Sequence, residues 1–275
     1  MATKNFIPTV WSETLLQSLD REYVGVMHCN RDFEGDIRNL GDSVVINSIG
    51  PINVFDYTAD TDMNAPEALS DGESITLNID RAKAFCFQID DVDRVQAKPE
   101  LMKTAMKEAA CALAEEADKY VYSLYSKCPE DNVITRLGIN SDDMVDLVIK
   151  ARTILMQNNV NSNTEVVLEV SPIIAAEILK AKILNSTDNA DALTNGYLGN
   201  FVGFDVYVSN SIAKEADGTY HCLARTKRSI AFAEQLKSVE AFRPEKRFAD
   251  AVKGLHLYGA ELIYPNEMVV LNLSV

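Results

Sequence analysis

The residues that could do chemistry are few and scattered. Histidines occur at positions 28, 221 and 256, and two of them adjoin cysteines, as His28-Cys29 and His221-Cys222. Imidazole and thiolate are the usual donors to zinc. Neighbours on a strand point to opposite faces, however, so ordinary packing is the plainer role for each pair. Acids gather at Asp90, Asp91 and Asp93, just ahead of a long helical stretch. They have the donor type for a divalent ion, but they also suit the positive end of a helix. Asp60 and Asp62 make a DxD without the glycine-bearing loop that calcium requires. Phosphate-loop, dinucleotide, zinc-protease and serine-elbow motifs are all missing. The sequence therefore predicts no catalytic residue, no metal site and no cofactor.

Composition narrows the field further. The chain has 275 residues, 47% of them hydrophobic, which is enough for one large or two modest cores. Its formal net charge of -15 argues against a nucleic-acid grip, because phosphate contacts need Lys and Arg. No run of 18 apolar residues is present, so no membrane-spanning helix is expected, and the first residues show no signal-peptide pattern. The five cysteines have no CxxC spacing and are odd in number, which reads as free thiols in a reducing compartment.

Elements follow from periodicity. Ser12 is a plausible cap for a short helix carrying Leu15, Leu16 and Leu19. Phe6, Ile7, Val10 and Trp11 precede it and need some surface to rest on. Alternation at Ile75, Leu77, Ile79 and again at Phe85, Phe87, Ile89 predicts half-buried strands. Between them and the earlier strand lies an acidic tip with Asp56, Asp60, Asp62, Glu67, Asp71 and Glu73 and no base. Residues 99–126 predict one long helix, with Met102, Met106, Ala109, Leu113, Ala117, Tyr120 and Leu124 at spacings of three or four. A helix capped by Ser141 or Asp142, a strand at 164–170 and a helix opening at Pro172 follow. Residues 185–203 read as loop, and six further short strands complete the chain. Strands and helices mix without a βαβ rhythm, so the fold class is α+β.

Four segments, in order, then add a resemblance. They are "FIPTVWSETLLQSL", "DDVDRVQAKPELMKTAMKEAACALAEEAD", "TNGYLGNFVGFDVYVSN" and "EKRFADAVKGLHLYGAELIYP". Together they resemble the major capsid proteins of tailed bacteriophages, in the branch with P22-like coat sequences from phages of Gram-positive hosts. The resemblance implies an HK97-type fold: an N-terminal arm at 1–32, an E-loop β-hairpin with flanking strands at 33–90, a peripheral domain with its spine helix at 91–140, an axial domain at 141–225, and peripheral return strands at 226–275. It implies a protein that self-assembles, as hexamers and pentamers, into an icosahedral virion shell around packaged double-stranded DNA. Assembly in the host cytoplasm with a separate scaffolding protein and a portal would follow. An encapsulin-type nanocompartment shell is the alternative on the same fold.

Residues 33–80 hold no Lys, so the isopeptide weld of some relatives is not expected. An isolated hairpin is marginal in water. The hairpin and the arm, with Phe6 and Trp11, are therefore expected to find their core on a neighbouring subunit. Two basic clusters, Arg225/Lys227/Arg228 and Arg243/Lys246/Arg247, could receive the acidic tip, and the resemblance favours the second. Gly196, Gly199 and Gly203 are expected to shape axial-domain loops.

Overall fold

The computed structural model describes residues 15, 18, 19, 22–33, 41–49, 71–90, 100–185, 197–246 and 248–274. Its elements run β1 (Ser43–Ile49), β2 (Asp71–Asn78), β3 (Arg81–Asp90), α1 (Glu100–Ser123), β4 (Val133–Arg136), α2 (Ser141–Gln157), β5 (Val166–Val170), α3 (Pro172–Asn185), β6 (Tyr197–Phe201), β7 (Phe204–Val208), β8 (Tyr220–Thr226), β9 (Ile230–Phe242), β10 (Ala249–Leu262) and β11 (Met268–Leu273). They form three sheets: the β1–β2 ribbon, an antiparallel β3–β10–β9 sheet, and a mixed six-stranded sheet in the order β4–β11–β8–β5–β7–β6.

Local sequence explains the boundaries. The α1 stripe of Met106, Ala110, Leu113, Ala114, Ala117 and Val121 is buried, and Ala109 and Tyr120 only flank it. The cap of α2 is Asn140, whose Oδ1 accepts from the Asp143 amide at 3.1 Å, rather than Ser141 or Asp142. Ser171 Oγ caps α3 ahead of Pro172, at 3.5 Å from the Ile174 amide. The two strands expected between Arg228 and Glu245 are one continuous β9. Part of the expected 185–203 loop is strand, because β6 and β7 form a hairpin across Val202-Gly203.

Two large cores share the six-stranded sheet. On one face α2 and α3 bury Met144, Leu155, Ile174 and Ile178 against Leu168, Val206, Cys222 and Leu271. On the other, α1 and Leu15, Leu19, Tyr23, Val26 and Cys29 pack on Leu223, Met268, Val270 and the β3–β10–β9 sheet. His221 and Cys222 thus fall on opposite faces, as strand geometry requires. The boundary expected at 225/226 does not separate the strands: β11 lies between β4 and β8 in the same sheet as β5–β7. Sheet pairing, which is invisible to sequence order, places the C-terminal strand there.

Two expectations about private cores change. Leu15, Leu19, Tyr23, Val26 and Cys29 are buried in the larger core of this chain, so the root of the arm belongs to the body. The base of the β1–β2 ribbon also rests on its own chain. Leu77 and Ile79 are buried with Ala231, Ala233, Leu257 and Ile263, and Val44, Ile46 and Ile75 pack alongside. The ribbon's partner face is therefore β10 and β9 at this end. Residues 1–14 and the tip at 50–70 lie outside the described residues.

Gly259 makes that crossing possible. A Cβ there would meet the Asn78 carbonyl oxygen at 2.1 Å, which no side chain can relieve because the neighbour is backbone. Gly259→Ala should lower stability by ~1–3 kcal/mol, the usual cost of overpacking, and loosen β1–β2. Urea unfolding, with hydrogen exchange at the Gly41 and Ile79 amides that tie the ribbon's base, measures both effects.

Candidate assembly surface

The surface residues singled out by sequence divide in two. Phe6, Trp11, Asp56, Asp60, Asp62, Glu67, Gly196 and Arg247 lie outside the described residues. Arg243 and Lys246 are exposed in the turn between β9 and β10, beside Phe248, which is 83% exposed. The other basic cluster is only partly at the surface, with Lys227 and Arg228 exposed. Arg225 is fully buried, and Arg228 Nε donates to Glu267 Oε2 at 2.7 Å. Gly199 and Gly203 both have positive φ, +90° and +80°. Val202 is also left-handed at 53°, so Val202-Gly203 makes the two-residue turn that matches strand twist. Asn200 Oδ1 accepts from the Gly203 amide at 3.2 Å and helps hold it. Gly199 sits where the β6–β7 register shifts.

The described residues also hold a buried polar junction that the sequence reading missed. It centres on residues 23–31, which form only a short 3-10 turn at Val26–His28. Three carboxylates from three elements reach this segment. Asp118 on α1 accepts from the Val24, Gly25 and Val26 amides at 3.0, 3.0 and 2.9 Å. Glu169 on β5 takes Arg225 of β8 in a two-point contact, Nε to Oε2 and Nη2 to Oε1, both 2.9 Å. Arg225 also donates to the carbonyls of Gly25, at 2.7 Å, and His28. Glu234 on β9 accepts from Tyr23, from Arg31 at 2.6 Å and from His256 Nε2 at 2.8 Å.

Burial sets the electrostatics. It pushes the Asp118 carboxyl up to about 6, against the pull of its three amide donors. It raises Glu169 as well, with Arg225 opposing. Burial works against the Arg225 charge too, but Glu169 more than offsets this, and a guanidinium stays protonated in proteins. For Glu234, burial is outweighed by His256, Tyr23 and Arg31, so its carboxyl is held below the usual range. Burial, then Arg225 and Lys227, drive His28 down to about 3. His28 is therefore neutral and its Nδ1–H donates to the Val24 carbonyl at 3.2 Å. Its 3.8 Å approach to Glu169 is then a contact and not an ion pair.

This is an arrangement for holding chain segments together. Among the described residues no group of three or more His, Cys, Asp or Glu could hold a metal ion. Each acid of the junction is bonded to structural partners.

Comparison with known proteins decides the family. A family model described as phage capsid protein matches residues 41–275. The chain belongs to that family. It is similar to a chain of Mycobacterium phage Che8, 29% identical, with a TM-score of 0.69 and 90% of each chain covered. It shares its fold with the capsid of cyanophage P-SCSP1u, at 14% identity and TM-score 0.68 over 90% of this chain and 86% of that one. A virus-like particle from Pyrococcus furiosus shares the fold at 12% identity and TM-score 0.59, over 94% and 96%. The search of curated proteins found no match. The capsid chain thus has the HK97-type α+β fold and is a structural shell protein of a tailed-phage virion.

Two tests follow for the capsid subunit. Glu169→Gln should cost ~3–5 kcal/mol, because it strands a buried guanidinium. The Glu169→Leu/Arg225→Met double variant should lose less than the sum of its single variants in a urea double-mutant cycle. The second test is pH. Folded Asp118 holds its proton more tightly than the unfolded chain does. Its contribution, about 3 kcal/mol for a shift of about two units, is therefore fully present below about pH 4 and lost as pH rises through 6. Glu234 acts oppositely, giving stability above its unfolded value of 4.5 that is lost as pH falls. Denaturation midpoints between pH 4 and 7 should fall less steeply in Asp118→Asn than in the wild type. Glu234→Gln should remove part of the loss on the acid side.

Proposed function

We propose that this protein forms the hexamers and pentamers of an icosahedral shell that encloses packaged double-stranded DNA, and that it does so in the host cytoplasm. A separate scaffolding protein and a portal would complete assembly. We assign it no enzymatic activity. The observation that carries the reading is the capsid-family match along 41–275, together with a ribbon, β1–β2, that leaves the body at a base held by Leu77 and Ile79. The formal charge of -15 supports a wall that confines DNA without gripping it. The placement in the P22-like branch of phages of Gram-positive hosts rests on the four resembling segments.

The working parts on this reading are the arm, the E-loop built on β1–β2, the spine helix α1, the axial part with α2, α3 and the β6–β7 hairpin, and the peripheral sheet β3–β10–β9. Phe6 and Trp11 would rest on a neighbouring copy. Gly196, Gly199 and Gly203 would shape loops near the capsomer centre. The encapsulin-type alternative shares the fold, but at 12% identity to the archaeal particle against 29% for the Che8 chain. Electron microscopy of the purified protein separates the readings. Closed shells with DNA support the proposal, shells with protein cargo support the alternative, and small oligomers under all assembly conditions overturn both.

For the contact between subunits, Asp56, Asp60, Asp62 and Glu67 of one copy would meet Arg243, Lys246 and Arg247 of another. Each exposed pair contributes only ~0–1 kcal/mol, yet repetition around a capsomer can set register and speed encounter. Lys246→Glu with Arg247→Glu should slow shell formation in light scattering. Asp60→Lys with Asp62→Lys should partly restore it, and unchanged kinetics in the first variant would remove the contact.

A further inference from the structure

The third buried histidine lies outside the junction and is used by nothing described so far. His221, near the start of β8, is 3% exposed. Its ring lies flat on Tyr125, with centroids 3.8 Å apart and planes within 5°. That stack fixes where both nitrogens point. Nδ1 is 2.6 Å from Asn272 Oδ1. The Asn272 amide nitrogen donates to Thr135 Oγ1 at 3.3 Å, which turns the amide oxygen toward the ring. The neutral ring therefore carries its hydrogen on Nδ1, and Nε2 is the bare nitrogen.

What faces Nε2 is a carboxylate. Glu215 Oε1 is 3.2 Å away, on a half-exposed side chain, while Nε2 itself is buried without a hydrogen bond. A lone pair facing a carboxylate is repulsive. A proton on Nε2 turns the same approach into a charge-assisted bond. Both ring nitrogens face oxygen acceptors, so only the doubly protonated ring satisfies both. Glu215 belongs to the turn that leads into β8. Its amide bonds the Thr219 carbonyl at 2.9 Å, the Gly218 amide bonds the Glu215 carbonyl at 3.1 Å, and the His221 amide bonds the Ala213 carbonyl at 3.0 Å.

We propose that His221 is a proton-operated clamp on the 213–219 turn. With a proton on Nε2, Glu215 is drawn onto the ring and the turn is held against β8. Without it, Glu215 swings to solvent and the turn loosens. The charged groups on the surrounding elements are few. Lys214, Glu215 and Asp217 lie in the turn, and the Lys214 ammonium sits 4.9 Å from the Tyr220 ring centroid. Lys127, after α1, is bound to Glu261 at 2.7 Å. Arg136, at the end of β4, pairs with Asp143 at 3.4 Å. β11 contributes Asn272 and no charge.

Hydrogen exchange of the full chain, corrected for intrinsic rates and run across the pH range in which the chain stays folded, tests this. Protection of the Glu215 and Gly218 amides should rise severalfold as pH falls. Glu215→Gln should flatten that dependence, and His221→Gln should abolish it. Because Glu215 is on the surface, its variant keeps the test valid if the His221 variant fails to fold. Nitrogen NMR of the ring should show Nε2 gaining its proton in step with the rise in protection. Protection that does not change with pH in the wild type, or the same pH dependence in Glu215→Gln, would overturn the clamp.

Discussion

The buried contact between Arg225 and Glu169 is the constraint on which the rest of this fold leans. Both side chains are fully out of water, so neither charge can be left alone without a large desolvation penalty. Two nitrogens of the guanidinium are spent on Glu169, and the remaining donors go to the Gly25 and His28 carbonyls. The pair joins β5 to β8, and the further donors of Arg225 find their acceptors on the arm root. It therefore couples the middle of the six-stranded sheet to a segment roughly 140 to 200 positions earlier in the chain.

Asp118 and Glu234 extend the same logic to α1 and β9. Residues 23–31 have little regular structure of their own; Asp118 accepts from three of their backbone amides, and Glu234 holds the Tyr23 and Arg31 side chains. A segment held from three sides is rigid, which suits a shell subunit. Whatever precedes Leu15 starts from a fixed point on the body, and so does the β1–β2 ribbon at its Gly259 crossing. Both elements that the capsid reading sends toward neighbouring subunits begin at well-defined anchors.

The shared sheet explains why two cores act as one body. Its strands alternate faces, so Leu223 and Val270 serve the α1 side while Cys222 and Leu271 serve the α2–α3 side. β11 and β4 carry the chain between the parts, and a boundary drawn by sequence position cuts through the sheet. Two acids of the buried junction shift in opposite senses, since desolvation dominates at Asp118 while donors dominate at Glu234.

By itself the sequence determined what depends on local periodicity and composition. The α1 helix, the start of α3, the half-buried strands β2 and β3 and the α+β class all follow from spacing within a few residues. Four ordered segments also carried the likeness to phage capsids. The junction left little trace. Glu169 interrupts the apolar run Val166–Val170 and Arg225 stands inside a buried strand, the one hint available, but nothing in either position names the partner. Asp118 stands among other acids along α1, and by sequence the arm is expected to find its core on a neighbouring subunit. Only tertiary structure decided these points. A buried charge is tolerable only where its counter-charge and donors converge, and that convergence is a property of distant segments brought together, which no window of neighbouring residues contains.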